Sequence, residues 1–325
     1  MAVQLMITNE KGTKTFIPVT EEGIEWTTER RGSPGKLKFS VLKDETLGDI
    51  GGFGEGSAVR LTKDDAKVFY GFVFTKQRDK SGLINCTAYD QIRYLKNKDT
   101  YVYENKTADA FIKMVAADYG LKVGSMEATS YVIPLRTEEN TALLDMIETA
   151  LDLELTNKKE MFVLYDDFGK LTLKNIGSMK VNLLIDAETG ENFDYTSSID
   201  EQTYNQIKLT YDNEKTGKRE VYIAKDSSHI NTWGVLQYFD TLSEGENGSS
   251  KADALLALYN SKTRKLKISN ALGDVRVRAG TLIPVSLNLG DIIANSYMMV
   301  EKAVHTFKEN EHFMTLTLRG GEFIA

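Results

Sequence analysis

The chain has 325 residues, and 40 Lys and Arg against 47 Asp and Glu give a formal net charge of −7. At roughly 100–200 residues per domain this length predicts about two compact units, or more if they are small β units. With 41% hydrophobic and 27% charged residues, and no run near the ~18–20 apolar residues of a membrane helix, the composition argues against disorder and a membrane span, and the acidic balance argues against a nucleic-acid-binding surface.

Met1 to Glu10 has neither a basic n-region nor an apolar core, so the chain is expected to be made and kept in a cytoplasm. Period-2 alternation then predicts strands through Leu37, Phe39, Val41, through Val59, Leu61, and through Val68, Tyr70, Phe72, Phe74, each with one face on a core. The polar stretch Gln77 to Gly82 closes a hairpin into Ile84 to Thr87. Residues 1–95 therefore read as a first small β-barrel or sandwich.

The period changes at Thr107. Ala108, Phe111, Ile112, Val115 and Tyr119 form one helical stripe, with Thr107 as N-cap and Gly120 as the stop. A second helix starts at Asn140 or Thr141 and carries Leu143, Leu144, Ile147 and Leu151 on one face. A hairpin follows, Met161 to Tyr165 and Leu171 to Leu173, around the turn Asp166 to Gly169. Residues 96–195 are thus an α+β insertion. Strands resume at Ile207, Leu209, Tyr211 and at Val221, Ile223, and a third helix spans Lys251 to Asn260 with Ala254, Leu255 and Leu258 on one face. The last strands hold Ile283, Val285, Leu287, then Met299 to Phe307, then Met314, Leu316, Leu318 after the turn Lys308 to Glu311. Residues 196–325 read as a second β-barrel with a helical insertion at about 241–270, and the class is α+β, mainly β.

No catalytic constellation emerges, so the chain is not read as an enzyme. The segment Gly48 to Gly56 leads into a strand and lacks the Lys-Ser/Thr pair of a phosphate loop, so it is read as a flexible loop. Within it, Phe53 between Gly52 and Gly54 is either a tucked-in anchor, the commoner case, or an exposed aromatic that contacts a partner. Gly52, Phe53 and Gly54 are the candidate partner-contact residues. His305 and His312 flank one turn with Glu309 and Glu311, too few converging ligands for a metal, and neither a metal nor any other cofactor is expected. The pairs Asp64-Asp65, Glu138-Glu139 and Asp166-Asp167 are read as solvated turn residues. The lone Cys86 excludes an internal disulfide and is read as a small buried hydrophobe.

Phe69-Tyr70-Gly71-Phe72-Val73, then Thr87 to Leu95 and the Thr107 to Leu121 helix, resemble the front half of phage tail baseplate hub proteins of the XkdQ/YqbQ family. Asn205-Gln206-Ile207, Asp226 to Ile230, Trp233-Gly234, Gly280, His305 to Phe307 and His312 to Leu316 are similar to the back half, in the same order. The resemblance implies a structural hub of a contractile phage tail, prophage tail or phage-tail-like bacteriocin. It implies a homotrimer that joins the sixfold tail tube protein to the threefold spike and other baseplate proteins. Such a protein is assembled in the bacterial cytoplasm, contacts no membrane, and meets DNA at most as it passes through a central channel. The rival readings are a tail-associated carbohydrate- or receptor-binding module and a cell-wall hydrolase.

The two β units are further expected to be copies of one barrel. Gly56-Ser57-Ala58-Val59 leads to Phe72-Val73 and Ile84, as Gly280-Thr281-Leu282-Ile283 leads to Met299-Val300 and Phe313. Three chains with two such units each would present six similar faces to a sixfold tube.

Overall fold

A computed structural model describes residues 2–21, 23–42, 52–78, 80, 82–189, 192–200, 203–213, 216–242, 247–290 and 292–320. The chain divides into two units, a larger one of Met1–Phe193 with Lys267–Gly320 and a smaller one within Asp194–Leu266.

The larger unit begins with β1 (Val3–Thr8), β2 (Thr15–Phe16), β3 (Ile24–Glu29), β4 (Lys36–Leu42), β5 (Ala58–Lys63), β6 (Ala66–Arg78) and β7 (Leu83–Tyr89). The alternating sets Leu37, Phe39, Val41 and Val59, Leu61 all point into one core, as period 2 requires. In β6 the phase shifts. Leu61 pairs with Phe69 but Thr62 with Lys67, so Val68 is the extra residue of a bulge, and Val68 and Phe69 are both buried. Beyond the bulge Gly71 and Val73 face inward. Tyr70, Phe72 and Phe74, expected on the core face, instead form a half-buried ridge on the other side.

A 3₁₀ turn (Gln91–Lys96) leads into β8 (Lys98–Lys106), α1 (Ala108–Asp118), β9 (Val123–Met126), β10 (Ile133–Ala142), α2 (Leu143–Lys158), β11 (Phe162–Asp166) and β12 (Leu171–Asn175). The predicted stripe of α1 packs with Leu143, Leu144 and Ile147 of α2 in a second core. Thr107 occupies the N-cap, but its hydroxyl donates to Asp109 Oδ1 at 2.7 Å. β11 and β12 form the predicted hairpin.

Next come β13 (Asn192–Ser198), β14 (Gln206–Asn213), β15 (Lys218–Lys225), α3 (Ser227–Trp233), β16 (Gln237–Thr241), α4 (Gly248–Tyr259) and β17 (Thr263–Leu272). In the smaller unit β15, β14 and β16 make a separate sheet, and its core joins Ile207, Leu209 and Ala224 to Ala252 of α4. This corrects the expected second barrel. Because α4 covers Ile207 and Leu209 locally, these strands do not need the C-terminal strands to bury their apolar face. On α4 the inward residues are Ala252, Leu255 and Leu256, and Leu258, expected on the packed face, is 65% exposed. Within the same unit β13 lies beside the start of β17, where Thr263 Oγ1 donates to Ser198 O at 3.2 Å.

The larger unit closes with β18 (Leu282–Asn288), β19 (Ile293–Lys308) and β20 (Glu311–Arg319). Its strand path runs β17-β20-β19-β3-β4-β7-β6-β5-β1-β2, with β18 paired along β19. The mainly β class with mixed insertions holds, but the described strands of this main sheet run as one open path and not as two closed barrels. The fusion point is β3, which pairs antiparallel with β19 from Lys302↔Glu29 to Phe307↔Ile24.

The two halves follow one plan. The order β4-β7-β6-β5 is matched by β17-β20-β19-β18. Before β5, Gly56 N donates to Val73 O (2.7 Å) and Val73 N to Ser57 O (2.9 Å); before β18, Gly280 N donates to Val300 O (2.8 Å) and Val300 N to Thr281 O (2.9 Å). Ser57 N donates to Gly54 O (3.1 Å) and its Oγ accepts from Gly54 N (3.1 Å), while Thr281 N donates to Arg278 O (3.0 Å) and its Oγ1 accepts from Arg278 N (3.0 Å). Gly56 and Gly280 have φ +87° and +90°, a region that favours glycine. The register then slips immediately after Val73 and after Val300.

Candidate functional site

The predicted contact loop is an anchor. Phe53 is 4% exposed, its ring lies 6.4 Å from that of Phe16, and the Lys76 ammonium sits 4.5 Å over its face while donating to the Phe53 carbonyl. This corrects the exposed-aromatic reading, because a ring of that size gains more in the core of the first half than in water. Gly52 and Gly54 flank it, and Gly48 to Gly51 lie outside the described residues.

His305 and His312 do meet, on neighbouring positions of β19 and β20, and the turn Lys308–Glu311 between them is as predicted. Their bonds form a directed chain. His305 Nε2 lies 2.9 Å from Val277 O, which can only accept, so His305 Nδ1 is left to accept from His312 Nε2 at 2.9 Å. His312 Nδ1 then accepts from the Lys63 ammonium at 3.0 Å. The Trp26 ring lies 4.6 Å from that of His305, tilted by 31°. Burial, and for His305 the neighbouring ring, lowers His305 to about 3 and His312 to about 4, so both are neutral near pH 7. Among the described residues no group of three or more His, Cys, Asp or Glu is placed to hold a metal.

Asp64 and Asp65 are exposed turn residues, as expected, but Asp166 and Glu138 are buried. Glu138 accepts from Arg136 Nε at 2.5 Å. Asp166 belongs to a junction that draws on three distant segments. Asp90 Oδ2 accepts from Gly35 N (2.9 Å) and its Oδ1 from Ile92 N (3.0 Å). Asp166 accepts from Gln91 Nε2 (2.9 Å) and Gly169 N (2.6 Å). Arg278 donates to Asp166 O (3.1 Å) and lies 3.9 Å over the Tyr165 ring and 5.9 Å from that of Trp26. Its Nε has no hydrogen-bond partner among the described residues. Burial raises Asp90 and Asp166, Asp90 further because of Asp166, and burial lowers Arg278. No periodicity signals these residues, because each is a single polar position beside a strand end.

Cys86 is buried, and burial pushes its thiol up to about 12, which removes it as a nucleophile. A cavity of about 270 Å³ on the outer side of β6 is lined by Tyr70, Phe72, Tyr94, Tyr119, Asn97 and Lys122 among others.

A YQBQ-like family model matches residues 24–319. YqbQ of Bacillus subtilis (strain 168) is 28% identical over 309 residues, covering 93% of this chain and 92% of YqbQ. The phage-like element PBSX protein XkdQ of the same organism is also 28% identical over 309 residues, with 93% of each covered. Among solved structures, the prophage MuSo2 43 kDa tail protein from Shewanella oneidensis has the same fold, with a TM-score of 0.69 at 12% identity over 97% of this chain and 98% of that one. With the model spanning most of the sequence, this chain belongs to the YQBQ-like family.

Proposed function

We propose that this protein is a structural component of a phage-tail-like baseplate, the hub whose trimeric ring joins a sixfold tail tube to a threefold spike. The observation that carries the reading is the repeated plan of the two halves, down to the hydrogen bonds of the turns at Gly54–Ser57 and Arg278–Thr281. Three chains with two such halves present six similar edges, which suits a junction between sixfold and threefold symmetry. XkdQ's description as a protein of the phage-like element PBSX supports a place in a tail-like particle. The tube, the spike and other baseplate proteins are the partners this role requires, and assembly takes place in the bacterial cytoplasm. The test is the oligomeric mass together with the symmetry of a purified particle: a trimer and threefold density support the hub, and monomer at high concentration together with another symmetry rejects it.

The cavity favours a second reading, a carbohydrate-binding tail module, since four of its lining residues, Tyr70, Phe72, Tyr94 and Tyr119, are aromatic. A cell-wall glycan pull-down that retains the wild type and loses Tyr94→Ala would support it. Equal retention of both, or of neither, would reject it.

A further inference from the structure

The repeat exposes a mismatch between the two halves. β19 is paired by β18 as far as Met299, and past the slip at Glu301 the same edge is taken by β3. There Arg30 N donates to Glu301 O at 2.9 Å and Gly23 N to Phe307 O at 3.1 Å. Outward-facing groups alternate along a strand, so Glu301, Ala303, His305 and Phe307 address β3.

β6 is the counterpart of β19, with Val73 in the place of Val300 and Phe74 in that of Glu301. β7 occupies one edge of β6 as far as Arg78. On the other edge β5 ends at Ala58, opposite Phe72, and the Gly54–Ser57 turn holds Val73. Among the described strands none pairs with the edge from Phe74 to Arg78, where Phe74, Lys76 and Arg78 point outward by the same alternation. An unpaired edge of this kind is a template for another strand.

The strand that would serve is set by the same plan. β3 lies beside β4, and the strand beside β17, the counterpart of β4, is β13. The outer edge of β13 has no partner among the described strands, and Phe193, Asp194, Thr196 and Ser197 are exposed. Asp194 on β13 and Arg78 on β6 have opposite charge.

We propose that β13 of one copy adds antiparallel to the Phe74–Arg78 edge of β6 in a second copy, repeating between chains the joint that β3 and β19 make within one. The proposal rests on the hub reading and names its subunit contact. The contact is heterologous, so it extends from chain to chain until it closes. Closure after three chains alternates three internal joints with three between chains.

Full-length chains carrying Arg78→Cys and Thr196→Cys separately are mixed and treated with a short bismaleimide, with buried Cys86 as unreactive background. The expected product is a cross-linked pair that forms in the mixture and in neither chain alone. In chains otherwise unchanged, Arg78→Pro, which removes one outward N–H, should weaken self-association at least tenfold, and Arg78→Ala less than twofold. Melting curves check that both variants fold, and the cross-link decides the matter if the proline variant does not. Self-association without the cross-link overturns the joint and leaves the hub reading standing. Monomer at high concentration, with no threefold density in a purified particle, removes both.

Discussion

Acid should loosen the larger unit through its histidine pair. In an unfolded chain each imidazole titrates near 6.5, whereas in the native sheet burial holds His305 down to about 3 and His312 to about 4. Below about pH 6.5 the unfolded chain takes up protons that the native state refuses, so this contribution is whole above 6.5 and is lost as pH falls toward 4 and 3. Between 6.5 and 4.5 the loss is roughly 2–3 kcal/mol for His305. It is roughly 1–2 kcal/mol for His312 after a discount for the half-buried Lys63 side. The total of roughly 4 kcal/mol corresponds to about 8–16 °C in melting temperature for a unit of this size. Asp90 and Asp166 act in the opposite sense: burial raises them, so the native state takes up protons first and gains stability as pH falls through their folded values toward 3.8. A His305→Gln, His312→Gln double variant keeps those carboxylates, so its comparison with the wild type isolates the pair. Trp26, whose ring lies 4.6 Å from that of His305, is the fluorescent reporter, with Trp233→Phe in both backgrounds. The wild type should lose at least about 8 °C more than the variant between pH 7 and pH 4.5. Equal losses would refute the reasoning.

Arg278→Leu should cost about 3–5 kcal/mol in urea unfolding, because Asp90 and Asp166 stay buried without the cation beside them. Phe53→Ala should cost about 3–5 kcal/mol of chain stability by removing a core ring, measurable without any partner. The two turn glycines should differ in thermal melts. Gly56→Ala meets open space and should cost only about 1–2 kcal/mol for its positive φ, whereas Gly280→Ala also presses on Val163 and should cost more. Leu258→Lys should stay within about 0.5 kcal/mol, since that side chain faces water.

The elements legible in the sequence were those whose pattern is local. α1 and α2 follow from stripes at helical spacing, and β4, β5 and β18 from strict alternation. β6 was legible as a strand but not in its facing, because one bulged residue, Val68, inverts the facing of Tyr70 and Phe72 ahead of the second slip after Val73. The separation of β14, β15 and β16 from the later strands was hidden, since Ile207 and Leu209 look the same whether covered by α4 or by another sheet. Asp90, Asp166 and Arg278 were illegible as a group because only the fold brings them together. The turn before each meander was the opposite case: Gly56-Ser57 and Gly280-Thr281 stood out in the sequence, and the matching bonds explain why glycine followed by a hydroxyl residue recurs there.

The pairing of β3 with β19 also governs how the chain folds during synthesis. Arg30 bonds to Glu301, 271 residues later. At ~5–20 residues per second on the ribosome, β3 waits on the order of 14–54 s for its neighbour to be made. The β14–β15–β16 sheet and α4 complete themselves from contiguous chain and can form while that wait lasts. Throughout it the nascent polypeptide carries a hydrogen-bonding edge with nothing to satisfy it, so translation speed and chaperone access bear on the yield of folded protein more heavily for the larger unit than for the smaller.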